Sequence, residues 1–300
     1  MNAAKNAWFL QIDHRVEKIL KKEGVIVLSS PDAWEKYRWA RRYFLEKPKE
    51  GFFIWVTKQV PFPISTCVTI SGKGVEQRLS NLVVVESGIS VKSYSLCNTA
   101  SMNLSGVHVA RGKVILKEGA SMELLSVQSW GKNDKVDVSY TYVLKKNTSL
   151  FYRFKNFSPP KVLKTKNVFK VWENAKVRAE TSLKVKSSLA KVYDYTFLYG
   201  KHSDAISKLR VVASNGAKVY GYTKMVANNV SKGHLDCQGL MIDNTSKIAF
   251  VPALINANKD ATLTHEASIG RISEDALNYL MTRGLSEDNA IELIVSGFLK

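Results

Sequence analysis

The feature that most constrains the fold of this chain is a recurrent turn motif, in which a small residue follows a polar, turn-forming residue. The small residues stand at positions 120, 148, 175, 217, 245 and 261, so the intervals are 28, 27, 42, 28 and 16 residues. These intervals are close to multiples of about 14, the length of one strand plus one turn, and two such units would form one coil of a flattened β-solenoid. An antiparallel sandwich, with turn signals about every 8–12 residues, also needs small residues at tight turns. The repeat therefore predicts a β-rich body and leaves both architectures open.

The segments between these turns alternate apolar and polar residues, as half-buried strands do. In residues 162–166, Val-Leu-Lys-Thr-Lys, the lysines are expected on the solvent face. From about Phe52 to Ile269 no helical periodicity interrupts this pattern.

Helical signals are confined to the two ends of the chain. Near the N-terminus, Val16, Ile19 and Leu20 recur at helical spacing, and residues 25–28 predict one short strand. Ser30-Pro31-Asp32 is expected to begin a helix that runs through Tyr43, with Ser30 as its N-cap.

Two capping motifs near the C-terminus, Ser273-Glu274-Asp275 and Ser286-Glu287-Asp288, predict two short amphipathic helices. Gly284 is suited to end the first of them in a left-handed conformation. Such a hairpin cannot bury both apolar faces alone, so it must pack on the β body or present a face to a partner.

The composition indicates a basic globular chain. The formal net charge is +18, whereas residues 265–300 carry six acidic and three basic residues, which gives −3 for this segment. The three cysteines, Cys67, Cys97 and Cys237, form no Cys-x-x-Cys pair, so we expect no disulfide framework and a reducing compartment. Since there is neither a secretory apolar stretch nor an apolar run of about 18 residues, we expect a soluble, cytoplasmic protein without a membrane span.

A series of motifs in residues 232–300 is specific when its members are taken together. In order, they are Cys237-Gln238-Gly239-Leu240, Pro252-Ala253-Leu254, His265-Glu266-Ala267, Ile269-Gly270-Arg271-Ile272, Tyr279-Leu280 and Arg283-Gly284-Leu285-Ser286. This series resembles the C-terminal core of the SufB/SufD family. The resemblance is looser over residues 85–231, and residues 1–60 look shorter than and different from the family's usual N-terminal region.

The resemblance implies a mainly β fold with a right-handed parallel β-helix core. The β-helix would span residues 61–262, with a C-terminal helical domain over 263–300, and the residues themselves predict a small, mostly helical N-terminal α/β segment over residues 1–60. It also implies a scaffold for a transient iron–sulfur cluster, which works as a homodimer or as a dimer with a SufB/SufD paralogue. The C-terminal domain would dock an ABC-type ATPase resembling SufC.

The resemblance also suggests the site residues. Cys237 stands where SufB-like members carry the cysteine linked to cluster assembly, and a thiolate can accept sulfur and bind iron. His265 and Glu266 follow about one coil later and are expected to stack beside Cys237 as metal ligands. Thr264 departs from SufB-like sequences that carry a carboxylate there. Leu285 and Phe298 are candidates for the ATPase contact by position, although both could belong to the core.

Cys67 and Cys97 stand 30 residues apart, about one coil. We expect them to be small core residues, and alternative entry points for sulfur are the other interpretation. A lone cysteine such as Cys237 is itself more often a buried structural residue than a reactive one.

Motifs for stand-alone catalysis are missing from the sequence. There is no phosphate-binding loop, no His-Glu-x-x-His and no Gly-x-Ser-x-Gly, so we expect a non-catalytic subunit. A basic nucleic-acid-binding β-protein is the main alternative, because lysines are interleaved with aromatic residues. Those lysines lie on many separate strands and not in one arm or helix, so we do not expect nucleic acid as the partner. A carbohydrate-active β-helix enzyme is disfavoured because Asp and Glu are sparse across residues 100–235.

Overall fold

The computed structural model describes residues 7–299, which form two long β-sheets that face each other across one hydrophobic core. The strands are β1 (Ala7–Ile12), β2 (Arg15–Leu20), β3 (Val25–Ser29), β4 (Phe52–Val56), β5 (Ile64–Ile70), β6 (Glu76–Val85), β7 (Ser90–Thr99), β8 (Val107–Leu116), β9 (Ser121–Ser129), β10 (Lys135–Leu144), β11 (Ser149–Ser158), β12 (Val162–Val171), β13 (Lys176–Lys186), β14 (Leu189–Leu198), β15 (Ser203–Ser214), β16 (Lys218–Ala227), β17 (Ser231–Met241), β18 (Lys247–Asn256) and β19 (Thr262–Arg271). The helices are α1 (Ser30–Lys36), a 3-10 helix (Arg38–Tyr43), α2 (Glu274–Thr282) and α3 (Glu287–Phe298).

From β4 onward, successive strands alternate between the two sheets. Sheet A has the order β19-β17-β15-β13-β11-β9-β7-β5-β1-β2, and sheet B has the order β18-β16-β14-β12-β10-β8-β6-β4-β3. Neighbouring strands of the body are parallel and pair in register. The body is therefore a parallel β-solenoid of about eight coils, which confirms the predicted β-helix core and excludes the antiparallel sandwich.

The turn motif has a conformational cause. Asn147 and Asn174 adopt positive φ angles of 59° and 52°, and each precedes a buried small residue, Thr148 or Ala175. Asparagine tolerates this left-handed region better than most residues, and the small side chain then fits at the edge of the core. In the longest interval, Ser188 and Ser203 occupy the same position, each after a positive-φ residue, so three strands fill those 42 residues; Ala190, the less clear copy in the sequence, lies inside β14.

The N-terminal segment differs from its predicted helical character. Residues 15–20 form strand β2, which pairs antiparallel with β1 through a turn at Asp13, and β1 joins sheet A beside β5. The prediction of a helix around Val16, Ile19 and Leu20 is wrong because pairing to a sheet edge outweighs three apolar residues at helical spacing. Strand β3 confirms the strand expected at residues 25–28.

Helix α1 begins and ends at different residues than predicted. Its N-cap is Ser29, whose Oγ accepts a hydrogen bond from the Asp32 N–H, and α1 ends at Lys36, where the 3-10 helix takes over. Aromatic residues of this segment pack on the outward face of β4, β6 and β8, around Phe53, Leu82 and Ile115.

The helical part of the C-terminus begins later than the predicted boundary at residue 263. Residues 262–271 form β19, which extends sheet A beside β17, and the helices start at Glu274. The caps are confirmed: Ser273 and Ser286 cap α2 and α3, and Gly284 has a φ of 91°. Helix α3 packs on the outward face of sheet A, where Val295 and Leu299 meet Val212 and Leu240. No helix in residues 7–299 is long and apolar enough to cross a membrane.

Candidate functional site

The site is centred on Cys237, in the middle of β17. Side chains alternate along this strand, so that Leu235 and Cys237 face the core and Asp236 between them faces outward. The Cys237 side chain is 1% exposed. Its Sγ lies 3.4 Å from the Oγ1 of Thr223, on β16 of the opposite sheet, so the two residues bridge the two sheets.

The surroundings of Cys237 favour the protonated thiol. Burial raises the pKa of Cys237 above its ordinary value, and the hydrogen bond with Thr223 opposes this shift. The carboxyl groups of Asp194 and Asp236 raise the pKa further, whereas Arg210 lowers it. In this structure Cys237 is therefore a buried, protonated thiol.

The expected stacking of His265 beside Cys237 is wrong by two residues. In the register of β17 and β19, Ala267 lies beside Cys237, and His265 lies beside Leu235. The reason is that this coil contains 30 residues, from Cys237 to Ala267, and not 28. His265 still faces the interior side of the sheet, as Cys237 does. From strand spacing, their Cα atoms are roughly 8 Å apart.

Glu266 lies on the other side of β19. Because it pairs with Asp236 in the register, its side chain faces outward, away from the interior that Cys237 faces. The three predicted ligands therefore do not converge within the chain. Over residues 7–299, no group of three or more His, Cys, Asp or Glu side chains is arranged to hold a metal ion.

An ion pair that sequence reasoning missed supports the strand of Cys237 from outside. Arg210 on β15 donates to both carboxylate oxygens of Asp236, with one of the two distances at 2.9 Å. Arg111 and Asp137, also 26 residues apart, form the same kind of contact between β8 and β10. In the sequence, both ion pairs are visible as an Arg that is followed 26 residues later by an Asp.

A polar row inside sheet B was also missed. Asn167, Asp194 and Thr223 are neighbours in the register of β12, β14 and β16. Asn167 donates to Asp194 Oδ1 at 2.8 Å, and burial raises the pKa of Asp194 to about 6. The row ends at the Thr223 hydroxyl group, which contacts the Cys237 thiol. The buried carboxyl group of Asp194 therefore lies on the strand next to the one that contacts Cys237.

Cys67 and Cys97 do not stack on each other. Cys97 pairs with Val68 in the register, so Cys97 faces the interior and Cys67 faces outward from sheet A. Cys97 lines an internal cavity of about 50 Å³, and burial raises its pKa to about 12.

The two candidates for partner contact lie in the helical hairpin of α2 and α3. Phe298 packs against the cluster of Val295 and Leu240, whereas Leu285 is half-buried in the turn between the helices. The large apolar residues that this hairpin exposes are different: they are Tyr279, Met281 and Leu293. Helical periodicity alone could not separate these residues from the packed face, because both faces carry apolar residues.

Beyond Cys237, the solenoid ends in one further coil, formed by β18 and β19. Over residues 7–299, no strand pairs with the outer edge of either β18 or β19. This end coil exposes Ile269 on the interior side of β19, and Val251 and Ile255 on the outward face of β18, each to more than 40%. One end of the solenoid core is thus open, with a thiol one coil below it.

These features define a class of protein: a parallel β-solenoid with an open core end, a buried thiol beneath it and a helical hairpin beside it. Residues 68–298 match the family model described as SUF system FeS cluster assembly, SufBD core domain. The chain belongs to this family, as the motifs of residues 232–300 indicated, and iron–sulfur cluster assembly is the family's role.

Relatives from archaea and bacteria match along nearly the whole chain. A protein of Archaeoglobus fulgidus named as an iron–sulfur cluster assembly SufBD family protein is 29% identical over 93% of this chain and 80% of its own length. A protein of the same name from Methanothermobacter thermautotrophicus is 26% identical, over 97% of this chain and 77% of its own length. One from Staphylococcus epidermidis is 26% identical, over 96% of this chain and 66% of its own length.

Proposed function

We propose that this chain is a non-catalytic, SufB-like scaffold on which a nascent iron–sulfur cluster is built at the interface of two subunits. One observation carries the proposal: Cys237 lies one coil below the open end of the solenoid, and His265 on the end coil faces the same interior side. A thiolate and an imidazole are both ligands that iron accepts.

The open end supplies a reason for two subunits. Unpaired strand edges and the exposed apolar side chain of Ile269 are unfavourable in water, and a second solenoid would cover them. One subunit offers Cys237 and His265 on the interior side and Glu266 on the outward side. Equivalent residues from a second copy, or from a SufB/SufD paralogue, would complete the ligand set of a cluster.

Cys237 would take sulfur before iron. Its thiolate would attack the outer sulfur of a donor persulfide, forming a new S–S bond and releasing the donor thiolate. Because burial holds the thiol protonated, this step needs the end coil to move away so that water reaches Cys237. A SufC-like ABC ATPase that closes on ATP would supply that movement.

The hairpin of α2 and α3 would be the docking site of this ATPase. One side of α3 is fixed to sheet A through Val295, and Lys184 pairs with Glu292 at 2.6 Å. Tyr279, Met281 and Leu293 remain exposed. A hairpin anchored in this way would transmit force to β15 and β17, the strands that carry Arg210 and Cys237.

The link between cluster and interface can be tested with Ile269→Lys, which places a charge on the open end. We expect this variant to be monomeric and to retain little iron and sulfide after anaerobic reconstitution, measured by light scattering and metal analysis. The matched control is Val16→Lys. Val16 is an exposed apolar residue of β2, at the other end of sheet A. A monomeric Ile269→Lys that holds as much cluster as the parent would contradict the interface site.

A further inference from the structure

The outward face of sheet B carries a regular surface of basic and aromatic side chains on β12, β14 and β16. We call it the lysine–tyrosine face, and its members are Lys164, Lys166, Lys170, Lys191, Lys224, Tyr193, Tyr195, Tyr220 and Tyr222. In the register, Lys166, Tyr193 and Tyr222 form one row, and Lys164, Lys191 and Tyr220 form the next.

Few carboxylates neutralise this face. Among the outward residues of β10, β12, β14 and β16, the acidic one is Asp137, which pairs with Arg111 and lies 3.6 Å from Lys164. Within residues 7–299, the ion pairs do not include Lys166, Lys170, Lys191 or Lys224. The face therefore has an excess of positive charge and complements an anionic partner.

The tyrosines stand between these lysines as paired rings. The ring centroids of Tyr193 and Tyr220 are 6.0 Å apart, and those of Tyr195 and Tyr222 are 5.8 Å apart. The Lys166 ammonium group lies 5.6 Å from the centre of the Tyr195 ring. All four tyrosines are half-buried, so the packing of the sheet holds the rings in place.

In the sequence, the spread of the lysines over separate strands disfavours nucleic-acid binding, but in the structure these strands bring the lysines together on one face. Residues 164, 191 and 220 are far apart in sequence, but the parallel register brings them onto adjacent strands, at about 4.8 Å spacing. The neighbouring part of the same outward face, on β4, β6 and β8, is covered by the chain's own aromatic segment. By contrast, Lys164, Lys166 and Lys191 are exposed.

We propose that the lysine–tyrosine face binds single-stranded nucleic acid. Lysine neutralises phosphates, and aromatic side chains on a positively charged surface stack with unpaired bases irrespective of sequence. A flat sheet several strands wide does not enter the major groove of a duplex, which admits a helix or a two-stranded ribbon. An acidic protein surface fits less well, because lysine is depleted from the cores of protein–protein interfaces.

The test is fluorescence anisotropy of the full chain with labelled oligothymidylate and oligouridylate of about 15 nucleotides, a length within the range of such sites. For single strands, the logarithm of the affinity falls with the logarithm of the salt concentration, with a slope of about −0.7 per phosphate contact. If four lysines each neutralise one phosphate, the affinity for the oligonucleotide should therefore fall about 50-fold between about 50 and 200 mM salt. The variant Lys166→Ala/Lys191→Ala/Lys224→Ala should reduce this fall to about threefold. Tyr195→Leu/Tyr222→Leu should weaken binding about fivefold or more and leave the salt slope unchanged.

The matched control removes the same charge from elsewhere. Lys155→Ala/Lys176→Ala/Lys186→Ala changes three lysines of sheet A and should bind as the parent does. The proposal is overturned by a lack of binding at low salt or by equal weakening in the control. It is also overturned by equal affinity for a duplex, or by poly-glutamate binding in preference to the oligonucleotide, which would indicate an acidic protein. Cluster reconstitution with the same variants separates nucleic-acid binding from the scaffold role, because the substituted lysine and tyrosine side chains face away from the core.

Discussion

The Sγ of Cys237 lies 3.4 Å from the Oγ1 of Thr223, so the thiol expected to accept sulfur is enclosed between the two sheets of the solenoid. We therefore expect Cys237 of the isolated chain to react slowly with iodoacetamide at neutral pH, because the side chain is buried and burial raises its pKa. Cys67, on the outward face of sheet A, should be modified first. Timed alkylation followed by peptide mass spectrometry measures both rates, and equal rates would show that the thiol is not enclosed.

The buried carboxyl group of Asp194 predicts a dependence of stability on pH. Its pKa is raised from 3.8 to about 6, so the folded state favours the protonated form, and stability is lost as pH rises through about 6. Asp194→Asn keeps an acceptor for Asn167 and cannot ionise. We expect the variant to be about 2–3 kcal/mol more stable than the parent at pH 8, and similar to it near pH 4. Urea unfolding at both pH values measures the difference, and an unchanged stability at pH 8 would refute the assignment.

The ion pair between Arg210 and Asp236 predicts an asymmetric response to substitution. Both side chains are largely buried, so Arg210→Ala leaves an uncompensated carboxylate and should lower the free energy of unfolding by about 2–4 kcal/mol. Arg210→Met/Asp236→Leu removes both charges and should recover most of this loss. Denaturant melts of the three proteins test this, and a double variant less stable than Arg210→Ala would argue against the explanation.

The exposed side of the helical hairpin is the place where we propose that a SufC-like ATPase docks. Leu293→Glu adds a charge to an exposed position of α3 and should weaken binding of a SufC-like ATPase at least tenfold without lowering the melting temperature. Leu285→Glu tests the turn in the same way. Phe298→Ala should instead loosen the hairpin, because Phe298 packs against Val295. Calorimetric titration with the ATPase measures each affinity, and undiminished binding by both Glu variants would exclude this face.

The parts of the fold that depend on local chemistry were predictable from the sequence. Positive-φ residues such as Asn147 and Asn174 mark the turns, and Ser273, Ser286 and Gly284 mark the ends of the hairpin helices. These signals depend on a few adjacent residues, so they survive in a single sequence.

The parts that depend on register were not predictable. The position of His265 depends on the lengths of the last two turns, β17–β18 and β18–β19, each of which adds one residue to a coil of 28. In residues 193–195 the two tyrosines face solvent and Asp194 faces the core, the reverse of what polarity suggests. The lysine–tyrosine face exists only because β12, β14 and β16 stack in register, which no individual strand reveals.

The most direct test of the scaffold role is anaerobic reconstitution with iron and sulfide, comparing the parent, Cys237→Ser and Cys67→Ser. Serine nearly preserves the shape of cysteine, so melting temperatures should agree and any difference should report the loss of the thiol. We expect visible absorption and bound iron and sulfide in the parent and in Cys67→Ser, and neither in Cys237→Ser. A Cys237→Ser protein that forms the same cluster as the parent, with the SufC-like ATPase supplied to all three, would show that Cys237 is not needed to build the cluster.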